Sequence, residues 1–93
     1  METQKDNIIY VGTTVKCSAC KCIEVILNNI KKDIDIFDIV IKDFNDLPDW
    51  IKINVPLDGF PIVILVKDNA IKYHFSGTKP INEIKELIKE LFI

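Results

Sequence analysis

Arginine is absent from the sequence, and all 12 of its basic residues are lysines. The chain therefore lacks the bidentate guanidinium contacts that phosphate and base-edge recognition favour. With 14 acidic residues the net charge is −2, which does not suit a general nucleic-acid binder. We expect no nucleic-acid partner.

Long hydrophobic runs, glycine and proline are also scarce. The three glycines and four prolines exclude collagen-like and low-complexity chains. No apolar run reaches the roughly 18 residues of a membrane-spanning helix, and the polar N-terminus lacks the apolar stretch of a secretory signal. A chain of 93 residues fits one domain. We expect a cytoplasmic monomer with no membrane partner, made of a disordered N-terminus over residues 1–6 and a single domain over residues 7–93.

Apolar periodicity and turn residues divide the chain into strands and helices. Continuous apolar runs predict buried strands, and apolar residues on one face at helical spacing predict amphipathic helices. A short helix is expected after Asp46, whose side chain would cap it, with Pro48 in its first turn. The predicted elements are a strand at 7–11, a helix from Ser18 to about Lys32, a strand at 34–41, a short helix through Trp50 to about Ile53, strands at 62–66 and 71–75, and a helix at 81–92.

The resulting order, β-α-β-short α-β-β-α, predicts an α/β fold. The first strand–helix–strand unit should be parallel, through a right-handed crossover. Segment 67–70 has hairpin chemistry, and Asn69 tolerates a positive φ, so the last two strands should form an antiparallel hairpin. We expect a four-stranded mixed sheet flanked by helices.

Three cysteines, Cys17, Cys20 and Cys22, lie together where the first strand gives way to the first helix. An odd, clustered set is not a disulfide scaffold. Unpaired N–H groups and the helix dipole stabilise a thiolate on Cys17, and Lys16 and Lys21 add positive charge. Cys20 is one turn further along, close enough to form a disulfide with Cys17, and should be less exposed. We interpret Cys17 as the attacking nucleophile and Cys20 as the resolving thiol.

A metal-binding carrier protein is the alternative to redox chemistry at this cluster. It would use Cys17 and Cys20 with Cys22 as a third ligand. Cys22 lies about 200° around the helix from Cys20, so three converging thiols would need the helix to unwind. We therefore interpret Cys22 as a small half-buried helix residue, with a regulatory thiol as the alternative. Glu24, one turn after Cys20, is either a proton carrier for that thiol or a solvated helix residue.

The order of elements resembles the thioredoxin fold, whose redox signature is a Cys-x-x-Cys pair at the first strand–helix junction. Phe60-Pro61 opens the third strand where that family carries a cis-proline beside the dithiol, and Gly77 follows the hairpin where the family has a glycine. The resemblance covers about residues 7–92. It implies a thiol-disulfide oxidoreductase, thioredoxin-like or glutaredoxin-like, that reduces protein disulfides through a mixed disulfide without a bound cofactor or metal. The implied catalytic residues are Cys17 and Cys20, and the expected substrate-binding residues are Lys16, Ser18, Ala19, Phe60, Pro61, Gly77 and Thr78.

The segment that follows the hairpin indicates which electron donor to expect. Residues 75–80 resemble the Trp-Ser-Gly-Phe-Arg-Pro segment of the redoxins that reduce ribonucleotide reductase, which take electrons from thioredoxin reductase. Glutaredoxins carry an acidic pair after the glycine to hold glutathione, whereas Thr78 and Lys79 stand there in this chain. The expected donor is a thioredoxin-reductase-type flavoenzyme, with glutathione as the alternative.

Overall fold

The structure, a computed structural model, describes residues 6–93. The predicted disorder over residues 1–6 therefore lies, apart from Asp6, outside the described residues. No helix in the described part of the chain is long and apolar enough to cross a bilayer. The elements are β1 (Asn7–Thr13), α1 (Ser18–Asp33), β2 (Asp38–Asp43), a 3₁₀ turn (Phe44–Asp46), α2 (Asp49–Lys52), β3 (Ile62–Lys67), β4 (Ala70–Ser76) and α3 (Ile81–Phe92).

The strands form one four-stranded sheet in the order β2-β1-β3-β4. Strand β1 pairs with β2 in parallel and with β3 antiparallel, and β3 pairs antiparallel with β4. The hairpin between β3 and β4 turns at Asp68 and Asn69, which both have positive φ values, 53° and 65°. Both the predicted mixed sheet and the predicted hairpin are confirmed.

Strand β3 is central, and hydrophobic cores cover both of its faces. Val63 and Leu65 face one core, which α1 and α3 complete, whereas Ile62, Ile64 and Val66 face a second core on the side of α2. Burial on both faces explains why this strand is a continuous apolar run rather than an alternating one. The helices that cover the first core contribute Ile23, Leu27, Ile30, Ile84, Ile88 and Phe92.

Strand β2 begins at Asp38, not at Ile34 as the sequence pattern predicts. The apolar residues before it belong to a connecting segment that packs on the first core, where Phe37 is fully buried. The carbonyl of Ile36 accepts a hydrogen bond of 3.0 Å from the side-chain amide of Asn7. In a strand, this carbonyl would instead accept from the backbone N–H of the neighbouring strand. The apolar pattern of this segment results from packing on the first core and not from strand pairing, so the predicted start of the strand is wrong.

The predicted cap of the short helix is also wrong. Asp46 lies inside the 3₁₀ turn, where the side chain of Asp43 caps the first turn by accepting a 2.9 Å hydrogen bond from the amide of Asn45. Helix α2 follows at Asp49 with Pro48 at its N-cap and no side-chain cap bond. The predicted short helix itself is confirmed as α2, and the 3₁₀ turn before it is an additional element that the sequence pattern did not predict.

Candidate active site

Three segments that are distant in sequence meet at one edge of the sheet. Gly12 of β1 pairs with Ile62 of β3, and Ile62 pairs with Ser76 of β4. The loop after β1 leads to the cysteines, the Phe60-Pro61 bond immediately precedes β3, and Gly77 immediately follows β4. The register therefore brings the predicted site segments to the same edge.

Gly77 is joined to the proline segment by a hydrogen bond. Its backbone N–H donates to the carbonyl of Pro61 at 2.8 Å. The peptide bond between Phe60 and Pro61 is cis, as the family resemblance implied. Gly77 has a φ of +85°, in the left-handed region that favours glycine. Thr78, the next residue, is exposed.

Cys17 and Cys20 form a disulfide at the start of α1. Cys17 is the N-cap residue of the helix, with an extended backbone, and its Sγ accepts a 3.2 Å hydrogen bond from the N–H of Cys20. Cys17 is half-buried, whereas Cys20 is only 6% exposed, which confirms the expected difference between them. No acidic residue lies in the first turn of α1. The helix start therefore presents Cys17 to solvent without an opposing carboxylate in that turn.

Both cysteines line a groove of about 670 Å³ on the α1 side of the sheet. The ends of β1 and β2 form one wall, and the first turns of α1 form the other. Of the predicted substrate-binding residues, Lys16 and Ser18 line it, whereas Ala19 does not. We call it the cysteine groove, and its lining residues are Thr13, Thr14, Lys16, Cys17, Ser18, Cys20, Lys21, Glu24 and Ile41.

Lys16 has an unusual backbone conformation next to Cys17. Its φ is +57°, in the left-handed region, and its side chain is exposed. A residue with a β-carbon is disfavoured in this conformation by about 1–2 kcal/mol relative to the right-handed one. The sequence pattern gave no sign of it, because the turn lacks the glycine or asparagine that marks such positions.

Phe60 packs against Phe44, which sequence reasoning did not identify. Their ring centroids are 6.3 Å apart with the rings nearly perpendicular, at 80°. A Cβ on Gly12 would lie only 3.0 Å from Cδ1 of Phe44, so the glycine permits this close packing. Phe60 is half-buried and is not among the residues of the cysteine groove. Its substrate contact stays a prediction.

Lys79 is engaged by its own neighbours. Its Nζ lies 5.2 Å from the ring centroid of Phe75 and 4.0 Å from a carboxylate oxygen of Glu83. The ammonium group therefore already has a cation–π contact and an ion pair, although the partial exposure of that pair makes it weak.

Cys22 is exposed, so its predicted half-burial is wrong. It lies in a separate concavity of α1 with Lys21, Val25 and Ile26, away from the disulfide. Within residues 6–93, no group of three or more histidine, cysteine, aspartate or glutamate side chains is arranged to hold a metal ion. The three cysteines are not brought together as a ligand set.

Comparison with known proteins identifies the fold. No protein-family model and no curated protein sequence matches the chain. Similar solved structures include oxidized mitochondrial thioredoxin 3 from Saccharomyces cerevisiae, with 22% identity over 95% of this chain and 81% of that one, and a TM-score of 0.75. Oxidized thioredoxin O2 from Arabidopsis thaliana has 15% identity over 96% of this chain and 77% of its own, with a TM-score of 0.74. Thioredoxin-2, described as a component of malaria parasite protein secretion machinery, has 18% identity over 96% of this chain and 86% of its own, with a TM-score of 0.76.

These similarities cover nearly the whole of the chain, and the chain has the thioredoxin fold. The predicted fold class is therefore confirmed, and the Cys-x-x-Cys pair lies at the strand–helix junction where the resemblance placed it.

Proposed function

We propose that this protein is a thiol-disulfide oxidoreductase that reduces disulfide bonds in other proteins through Cys17 and Cys20. The observation that carries the proposal is the disulfide between these residues at the N-terminus of α1, within a thioredoxin fold. The pair combines a half-buried cysteine with a buried one, which suits an attacking and a resolving thiol.

The reaction begins from the reduced dithiol. The Cys17 thiolate attacks one sulfur of the substrate disulfide, forms a mixed disulfide and releases the other substrate sulfur as a thiolate, which takes a proton from water. Cys20 then loses its proton to water and attacks Sγ of Cys17, displacing the second substrate thiolate. Two electrons pass to the substrate, and the Cys17–Cys20 disulfide remains.

A thioredoxin-reductase-type flavoenzyme is the proposed electron donor that restores the dithiol. The segment after Gly77 supports this choice, because Thr78 and Lys79 stand where glutaredoxins carry the acidic pair that holds glutathione. Action in the cytoplasm stays a prediction. Reduction of the oxidised protein by the reductase of the same organism with NADPH should be faster than reduction by millimolar glutathione. Efficient turnover with glutathione alone would make glutathione the donor.

The oxidoreductase activity is tested by mixing the reduced protein with a protein disulfide and counting released thiols. The wild type should reduce the disulfide, Cys17→Ser should lower the rate to background, and the matched control Cys22→Ser should retain most of the rate. In the metal-carrier alternative Cys22 is the third ligand, so that function would require it. If Cys22→Ser were as damaging as Cys17→Ser, the two-cysteine mechanism would have to be abandoned.

A further inference from the structure

The cysteine groove has two lysines beside Cys17, and neither has an acidic partner among the residues that the structure describes. Lys16 directly precedes Cys17 and Lys21 follows one turn later, and both line the groove. No ion pair or hydrogen bond joins either ammonium group to any residue in the range 6–93. Other lysines of the chain do find carboxylates, such as Lys31 with Asp35 at 2.7 Å. In the described part of the chain, the groove therefore presents two positive charges without an ion-pair partner next to Cys17.

The backbone of Lys16 is an independent sign that this side chain has a function. Its φ of +57° is a conformation that glycine adopts without strain. Within residues 6–93, the lysine side chain has no hydrogen bond or ion pair that would offset that strain. Strained residues of this kind concentrate at binding and catalytic sites. A lysine retained beside the nucleophile at such a position points to a ligand outside the chain.

The positive charge is a local property of the groove, because the whole chain carries a net charge of −2. Glu24 is the only carboxylate among the groove residues. Asp43, which pairs with the groove residue Thr13 at the end of β2, does not line the groove, but its carboxylate keeps its negative charge while it accepts the hydrogen bond from Asn45. An acidic ligand would thus meet two lysines and one glutamate in the groove. The hydroxyl of Thr14 would offer a further donor, whereas that of Thr13 already donates to the carbonyl of Lys42 at 3.2 Å.

We propose that the cysteine groove binds a polypeptide segment of the substrate protein that carries carboxylates beside its disulfide. This proposal rests on the oxidoreductase function and names the substrate class for the same site. Lys16 and Lys21 attract the carboxylates and hold the disulfide close to Cys17. The attraction acts on association, so it raises the second-order rate constant at low ionic strength and is screened by salt.

Three peptides with the same internal disulfide test the proposal, one flanked by glutamates, one by glutamines and one by lysines. Second-order rate constants are measured at low and high salt for the wild type and for Lys16→Gln/Lys21→Gln. Lys72→Gln/Lys89→Gln is the matched control, because it removes two exposed lysines from β4 and α3. Each rate is divided by the rate with hydroxyethyl disulfide, an uncharged substrate, to correct for any change in Cys17 reactivity.

The wild type should reduce the glutamate peptide about fivefold faster than the glutamine peptide at low salt, with the lysine peptide slowest. The preference should vanish at high salt and in Lys16→Gln/Lys21→Gln, and it should persist in the control. Equal rates for the three peptides, or a preference that survives in Lys16→Gln/Lys21→Gln, would overturn the proposal.

Two further outcomes separate the alternatives. If oxidised glutathione showed the same lysine-dependent advantage as the glutamate peptide, the ligand would be a small anionic disulfide and the polypeptide assignment would be wrong. If the wild type reduced neither hydroxyethyl disulfide nor any of the peptides, the oxidoreductase function would be wrong, and the proposal would be wrong with it. Loss of the charge preference alone leaves the oxidoreductase function standing.

Discussion

The backbone N–H of Cys20 donates a hydrogen bond of 3.2 Å to Sγ of Cys17. We expect the same N–H, which belongs to helix α1, to face the thiol or thiolate of Cys17 in the reduced protein. A hydrogen bond to the charged form favours that form, and the helix dipole acts in the same direction. From this relationship we predict that the Cys17 thiol of the reduced protein ionises more readily than an ordinary thiol.

The first prediction concerns this acidity. In the variant Cys20→Ser/Cys22→Ser, where Cys17 is the only thiol and the backbone N–H at position 20 remains, the alkylation rate should rise with pH to a midpoint below the ordinary thiol value of about 8.5. The control Cys17→Ser/Cys22→Ser leaves only the buried Cys20 thiol, which should react more slowly throughout. A midpoint at or above about 8.5 for Cys17 would contradict the proposed activation.

The second prediction concerns the glycine that is bonded to Pro61. Gly77→Ala should lower the free energy of unfolding by about 1–2 kcal/mol, because alanine is strained at a φ of +85° even though the space around the site is open. Gly59→Ala is the matched control, since its site is equally open and its φ is not in the left-handed region. The control should be neutral or slightly stabilising. Urea denaturation measures both, and equal effects would show that backbone strain does not decide the result.

The third prediction concerns the strained lysine. Lys16→Gly should raise the free energy of unfolding by about 1 kcal/mol, because glycine relieves the positive φ. Lys16→Ala removes the same charge without relieving the strain, and should not stabilise. Denaturant midpoints of the two variants provide the comparison. If alanine and glycine stabilised equally, charge and not backbone conformation would be the cause.

The fourth prediction concerns the aromatic pair at the sheet edge. A double-mutant cycle of Phe44→Ala and Phe60→Ala should give a coupling of about 0.5–1.5 kcal/mol in the free energy of unfolding, as expected for perpendicular rings in contact. Phe44→Ala/Ile53→Ala is the control cycle, because Ile53 is 78% exposed and should not couple to the ring. Additive effects of Phe44→Ala and Phe60→Ala would contradict the contact.

Much of the fold could be predicted because its signals are local. Strand β3 is a continuous apolar run between turn residues, and helix α3 has a strong helical periodicity. Their observed bounds, Ile62–Lys67 and Ile81–Phe92, differ little from the predicted ones. The cysteine pair stands directly before a helical pattern, so its place at the helix start followed from spacing alone. The cis bond before Pro61 came only from the family resemblance, since an X-Pro bond is usually trans.

The remaining features depend on contacts that the sequence does not display. Ile34 and Ile36 are apolar because they pack on the first core, and an apolar pattern cannot distinguish that from a strand. Phe44 meets Phe60 only through the folding of the chain around Gly12. The positive φ of Lys16 is set by the turn that leads into α1, and that turn has no glycine or asparagine from which it could be predicted.

The central claim, that Cys17 attacks and Cys20 resolves, is tested most directly by trapping the intermediate. Reduced Cys20→Ser/Cys22→Ser is mixed with a protein disulfide, and the products are weighed by mass spectrometry without reducing agent. The account predicts a covalent adduct through Cys17 that accumulates and is released by dithiothreitol, whereas Cys17→Ser/Cys22→Ser forms little or none. If the adduct formed equally through Cys20, or if no adduct formed with Cys17 intact, the account would be contradicted.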